Sequence, residues 1–138
     1  MARQRLEELI SLFFRKQYRI VRRRPAYWQI TKSQTMLESN KPGYLRYFLL
    51  LSESQDFLFS LSLDGADIIT LSAYSDLKLL SGRVPWLTVE DTYDGYYMVS
   101  LEDVVWHRSI RIIVAPKTGV SSVTFRRVSW EFWEVIEQ

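Results

Sequence analysis

Asp64, Asp76 and Lys78 stand in the order used by metal-dependent nucleases: an acid, a gap, then acid–apolar–lysine. Such chemistry holds a divalent ion between two carboxylates and places a lysine near the attacking water. Plainer explanations exist for the same residues. Asp64 belongs to an Asp64-Gly65 turn, and Asp76 stands where the N-terminus of a helix favours an acid. Glu90, Thr92, Asp94 and Gly95 carry the offsets of the first half of a calcium loop. The first ligand is Glu rather than Asp, however, Leu101 replaces the closing glutamate, and the flanks read as strands, so a hairpin tip accounts for them. His107 is the only histidine and lies near Glu102 and Asp103. It could act as a general base, but no nucleophile or oxyanion motif accompanies it. No two glycines lie closer than 13 residues, which argues against a glycine-rich phosphate loop. With no cysteine and one histidine, the chain cannot build a disulfide frame, a thiol nucleophile or a His/Cys zinc site. The residues are therefore read as carrying no catalytic group, metal or cofactor.

Charge is the more informative feature. The net charge of +2 is unevenly spread: residues 1–46 carry +8, residues 47–110 carry −7 and residues 111–138 carry +1. The densest basic run is Arg15, Lys16, Arg19, Arg22, Arg23 and Arg24, with Tyr27, Trp28 and Lys32 just beyond. Guanidinium groups pair bidentately with phosphates, and neighbouring Tyr or Trp rings can stack on exposed bases. These nine residues are the candidate nucleic-acid contacts. The bland alternative is a solvated face whose arginines pair with the acidic middle of the same chain. A third reading is assembly, in which opposite surfaces steer copies or a partner into head-to-tail contact. Three adjacent arginines cannot all be buried and paired, so reversing Arg22, Arg23 and Arg24 is expected to remove binding and leave the fold nearly as stable.

The elements that must position these residues follow from periodicity. Leu6, Leu9, Ile10, Phe13 and Phe14 recur at helical spacing from Ala2 to about Gln17. Tyr18 to Arg24 could extend that helix or begin a strand, and Pro25 stops a helix there. Tyr44 to Leu51 suits a central strand covered on both sides. Phe57, Phe59, Leu61 and Leu63 alternate with serines, and Asp64-Gly65 turns that strand toward Ile68–Leu71. Ser75 to Leu80 reads as one helical turn stopped at Gly82. Further hairpins are expected around Asp94-Gly95 and around Pro116-Lys117-Thr118-Gly119. Leu101 to Trp106 reads as a short helix. Ser129 to Glu137 is either a short closing helix or the end of a long strand, since Trp130, Phe132 and Trp133 fit neither period. All five glycines fall where a turn is expected.

The expected fold is thus α+β. An N-terminal amphipathic helix packs on a mostly antiparallel sheet, or a partly open barrel, built from hairpins, with a possible short C-terminal helix. Residues 1–138 form a single domain, with a basic helical arm at 1–24 and a β-rich body at 25–138. The chain is read as an intracellular, soluble, non-enzymatic binding module that contacts nucleic acid. The alternative is a structural or adaptor subunit of a protein assembly, including self-association, and a metal-dependent nuclease stands third. No run reaches the ~18 apolar residues of a membrane span, so no membrane partner is expected.

Overall fold

A computed structural model describes residues 17–136, and these form a two-layer β-sandwich rather than an α+β fold. The chain runs β1 (Gln17–Ile30), β2 (Gln34–Ser39), β3 (Gly43–Ser52), β4 (Phe57–Leu63) and β5 (Ala66–Ala73). The helix α1 (Tyr74–Ser81), the only one among the described residues, follows, then β6 (Leu87–Asp91), β7 (Tyr97–Trp106), β8 (Ile110–Pro116) and β9 (Val123–Ile136). One sheet has five strands in the order β1-β9-β3-β7-β6 and the other has four in the order β2-β8-β4-β5. Every pairing is antiparallel.

Several expectations are corrected by this arrangement. Residues 17–24 are strand, so Arg19, Arg22, Arg23 and Arg24 of the basic run are part of the sheet and not of a helical arm; residues 1–16, with Arg15 and Lys16, lie outside the described residues. No barrel closes, because the strands divide into two separate sheets. The expected C-terminal helix is the 14-residue strand β9, and the helix expected at 101–106 is the second half of β7. Finally, β8 and β9 do not form a hairpin. The turn at Lys117–Gly119 carries the chain from one sheet to the other.

Two hairpins agree with their sequence signals: β4–β5 turns at Asp64-Gly65 and β6–β7 near Asp94-Gly95. Gly65 and Gly95 have φ of 84° and 87°, the left-handed region that glycine enters without penalty. Gly43 has a different role. It opens β3, and a Cβ there would sit 2.5 Å from the Trp133 carbonyl oxygen and overlap the Trp106 ring. Close packing, not turning, explains that glycine. The helix α1 ends at Gly82 as expected, with Leu77 and Tyr74 buried beneath it.

The core lies between the sheets. Phe48 from the five-stranded sheet meets Phe59 of β4 at 6.1 Å between ring centroids, and Phe57 meets Phe125 edge-on at 5.6 Å. Phe59 and Leu61 are fully buried, with Ser60 and Ser62 on the other face of β4, as the alternation requires. Phe59→Ala should cost about 3–5 kcal/mol from lost burial plus the cavity left behind. Urea unfolding measures this, and a loss below ~1 kcal/mol would place the ring outside the closed core.

Candidate nucleic-acid interface

The basic residues expected to act together meet different fates on β1. This strand is one edge of the five-stranded sheet, with β9 as its strand neighbour. From Gln17 to Arg23 it pairs with β9 in unbroken register, so Arg19 faces Glu134, Arg22 faces Glu131 and Arg23 faces Trp130. Arg19 forms an ion pair with the buried Glu134, whose other oxygen accepts the Ser39 hydroxyl at 2.6 Å. Arg22 pairs with Glu131 at 2.7 Å, and Arg46 of β3 reaches the same carboxylate at 3.0 Å. The Glu131 side chain is only 5% exposed. Arg46, then Arg22, hold its carboxyl below the ordinary value against the opposing effect of burial. The arginines do pair within the chain, but with the C-terminal strand and not with the acidic middle.

Arg23 points the other way, into the sandwich. Its guanidinium lies 4.4 Å from the Trp28 ring centroid and 5.7 Å from that of Trp130. Trp28 is half-buried against the core, and its ring lies against Arg23. Arg24, Tyr27 and Lys32 are exposed. Arg24 and Lys32 have no ion-pair partner among the described residues. Arg15 and Lys16 lie outside the described residues.

Two β-bulges then bring in residues that the sequence reading did not include. On β1, Arg24 and Pro25 together oppose the single residue Ser129. On β9, Arg126 and Arg127 together oppose the single residue Tyr27. A bulge leaves one residue unpaired and turns its strand outward. Arg126 and Arg127 are both exposed and without ion pairs among the described residues, and the ring of Tyr27 beside them is 58% exposed. The result is a patch of Arg24, Tyr27, Arg126 and Arg127, three cations and one aromatic, with no acidic residue in the facing register positions. A signal for it was present in the sequence. Two adjacent charges in Phe125-Arg126-Arg127-Val128 break a strand's alternation, which is the mark of a bulge.

The nuclease-like residues are not brought together. Asp64 and Asp76 lie beyond opposite ends of the eight-residue β5, a span of roughly 25 Å. Lys78 pairs with Asp91 at 3.0 Å. Asp64, at φ 55°, accepts backbone N–H bonds from His107, Arg108 and Ser109 at 3.0, 2.6 and 3.1 Å and so fixes the β7–β8 loop. Burial pushes the Asp64 carboxyl up, but the three donors outweigh it and hold the group below its ordinary value. A depressed folded-state value means stability that is full above the unfolded pKa and lost as pH falls through the folded one. Asp64→Asn should therefore cost about 1–2 kcal/mol at neutral pH and much less at ~pH 2. Thermal melts across that range measure it, and an equal loss at both ends would deny the carboxylate this role.

In the calcium-like segment, Thr92 donates to Asp94 at 2.6 Å and Gly95 donates to the Thr92 carbonyl, which closes a hairpin tip. No cluster of three or more His, Cys, Asp or Glu suited to a metal ion occurs among the described residues. No helix among them is long and apolar enough to cross a membrane. No protein-family model and no curated protein matches the sequence.

Proposed function

We propose that this chain is a non-enzymatic binding module whose basic patch at the β1 and β9 bulges contacts the phosphates of nucleic acid. The observation that carries this reading is the register, which sets Arg126 and Arg127 opposite the exposed Tyr27 and only a few positions from Arg24, about a hundred residues away in sequence. Exposed guanidinium groups without internal partners are free to neutralise phosphates, and a tyrosine among them offers a stacking surface for an unpaired base. Arg22 and Arg46 border the patch and keep one face toward solvent, with side chains 57% and 63% exposed, while Glu131 balances part of their charge. Arg19 and Arg23 have structural work, so the contact surface is smaller than the linear run of arginines and is built from two strands.

Binding to a generic DNA or RNA oligonucleotide, followed by fluorescence anisotropy, tests the reading. Affinity should fall linearly with salt on logarithmic axes, with a slope of about −2 for a single strand and nearer −3 for a duplex, for three phosphate contacts. No binding at low salt would end the proposal. Incubation with magnesium or manganese in the same assay exposes any cleavage, and cleavage would favour the nuclease reading instead.

A further inference from the structure

We infer that the nucleic acid bound at this patch is an unpaired strand, laid along β9 on the outer face of the five-stranded sheet and reaching a second ring, Tyr47; the inference rests on the nucleic-acid reading above. Directly opposed residues share a face of a sheet, so the register shows which side chains lie together. Trp28, Phe125 and Val128 pack into the core, which turns Tyr27 outward. Phe48 and Leu50 of β3 are fully buried, so Tyr47, Leu49 and Leu51 face outward, and all three are part-exposed. Leu51 stands opposite Arg127, and Tyr47 opposite Glu131. Beside Tyr47 the strand β3 has an extra residue, Arg46, where β9 has none, and its guanidinium reaches Glu131. The outer face of β1, β9 and β3 therefore carries a strip with a tyrosine toward each end. Arg127 opposes Tyr27, and Arg24 precedes that tyrosine by three residues. At the other end Arg22 and Arg46 share the single carboxylate of Glu131, so one positive charge of that trio is left over. From Arg127 to Glu131 the strip runs roughly 13 Å along β9. No other ring packs against Tyr27 or Tyr47 among the described residues.

The rest of the same sheet carries the opposite charge. Strands β7 and β6 contain four acidic residues and no basic one. Glu102 opposes Tyr47 in register, and Glu90 opposes Met98, the β7 neighbour of Leu51; both carboxylates are exposed. At ~4.8 Å per strand the basic strip is about 10 Å wide from β1 to β3, and β7 begins one spacing further on. One phosphate backbone fits that width. The second backbone of a duplex lies across a groove of about 6–12 Å. Over β7 and β6 it meets Glu102 and Glu90 within the Debye length of ~8 Å at physiological salt. Paired bases are also closed to both tyrosines, whereas an unpaired strand offers each ring a base to stack on. Charge and stacking thus select the same form.

Fluorescence anisotropy on the full chain at low salt is the test, with a labelled oligothymidine of about 12 nucleotides, free or annealed to its complement. Wild type should bind the free strand about 10-fold or more tighter than the duplex, a comparison that needs no variant. Tyr47→Ala should weaken binding of the free strand by about 10-fold and leave the duplex within about 2-fold. Tyr47→Phe should bind as wild type does, because the ring and not the hydroxyl makes the contact. Glu90→Gln with Glu102→Gln should raise the affinity for duplex and narrow the preference. Neither carboxylate has an ion pair among the described residues, and circular dichroism checks the fold of each variant. Polyphosphate, a chain of charges without bases, should bind wild type and Tyr47→Ala equally. Equal affinity for strand and duplex overturns the inference, as does a folded Tyr47→Ala that binds the free strand like wild type; either result leaves the basic patch standing. No binding of either form at low salt overturns the nucleic-acid reading itself, and this inference with it.

Discussion

Arg24→Glu, Arg126→Glu and Arg127→Glu, combined in one chain, should weaken oligonucleotide binding by about 100-fold or more at low salt. Each exposed guanidinium–phosphate contact contributes about 0.5 kcal/mol, and each reversal adds a repulsion of similar size, about 3 kcal/mol in all. The salt slope should also shrink by about 2–3, because three counterion-releasing contacts are gone. Total charge alone could weaken binding to any polyanion, since the variant moves the chain from +2 to −4. The control reverses Arg83, Arg108 and Lys117, which gives the same final charge away from β1 and β9. Arg126 cannot serve in a control, because the β9 bulge places it opposite Tyr27. A much larger loss in the patch variant supports a site. Equal losses in both would leave only a diffuse positive field, and the patch would have no special standing.

The parts of this fold that could be read from sequence are those where local chemistry and tertiary structure agree. Asp64-Gly65 and Asp94-Gly95 make their hairpins because the turn itself demands those residues. Phe59 and Leu61 alternate with serines and are fully buried as the pattern requires, while Ser60 on the other face is buried as well. Agreement failed where a strand departs from its period. In β9, the Arg126–Arg127 bulge shifts the alternation, and two near-buried carboxylates, Glu131 and Glu134, sit where outward polar residues were expected to be solvated. That is why Trp130, Phe132 and Trp133 matched neither helix nor strand.

The basic run misled for a related reason. In isolation, six basic residues within ten positions suggest a solvated helix face, but the partners of Arg19 and Arg22 are more than a hundred residues downstream on β9. Long-range pairing of two edge-side strands leaves no local trace. The turn at Lys117–Gly119 was misassigned because turn chemistry reports a change of direction and not which sheet the chain enters next. For the candidate site the outcome was mixed. Arg24 and Tyr27 of the basic run are exposed, Arg126 and Arg127 lie opposite Tyr27 in register, and Arg19, Arg22 and Arg23 are tied into the sheet.

Arg22, Arg23 and Arg24 are consecutive and chemically identical, yet their reversals to Glu should differ by several kcal/mol. Arg24 is exposed and has no ion pair among the described residues, so Arg24→Glu should change stability by less than ~0.5 kcal/mol. Arg22→Glu places a carboxylate against the near-buried Glu131. Arg46 remains to offset part of that repulsion, and the solvent around Arg22 screens more of it, so about 2 kcal/mol is expected. Arg23→Glu is the severest single change. A cation lying over the Trp28 ring, with the Trp130 ring also within 6 Å, is replaced by an anion that those rings repel, and the Arg23 Nε already lies in a site with no hydrogen-bond partner for it. An uncompensated charge there should cost about 3–4 kcal/mol. The Arg22→Glu, Arg23→Glu double variant then loses about 5 kcal/mol or more, comparable to the entire stability of many domains of this size. Chemical denaturation of the three single variants and the double variant measures the order directly. The earlier expectation, that reversing residues 22–24 leaves the fold nearly as stable, predicts three small and similar losses. That outcome would mean that Arg23 is not held between Trp28 and Trp130 in solution and that Glu131 is satisfied without Arg22.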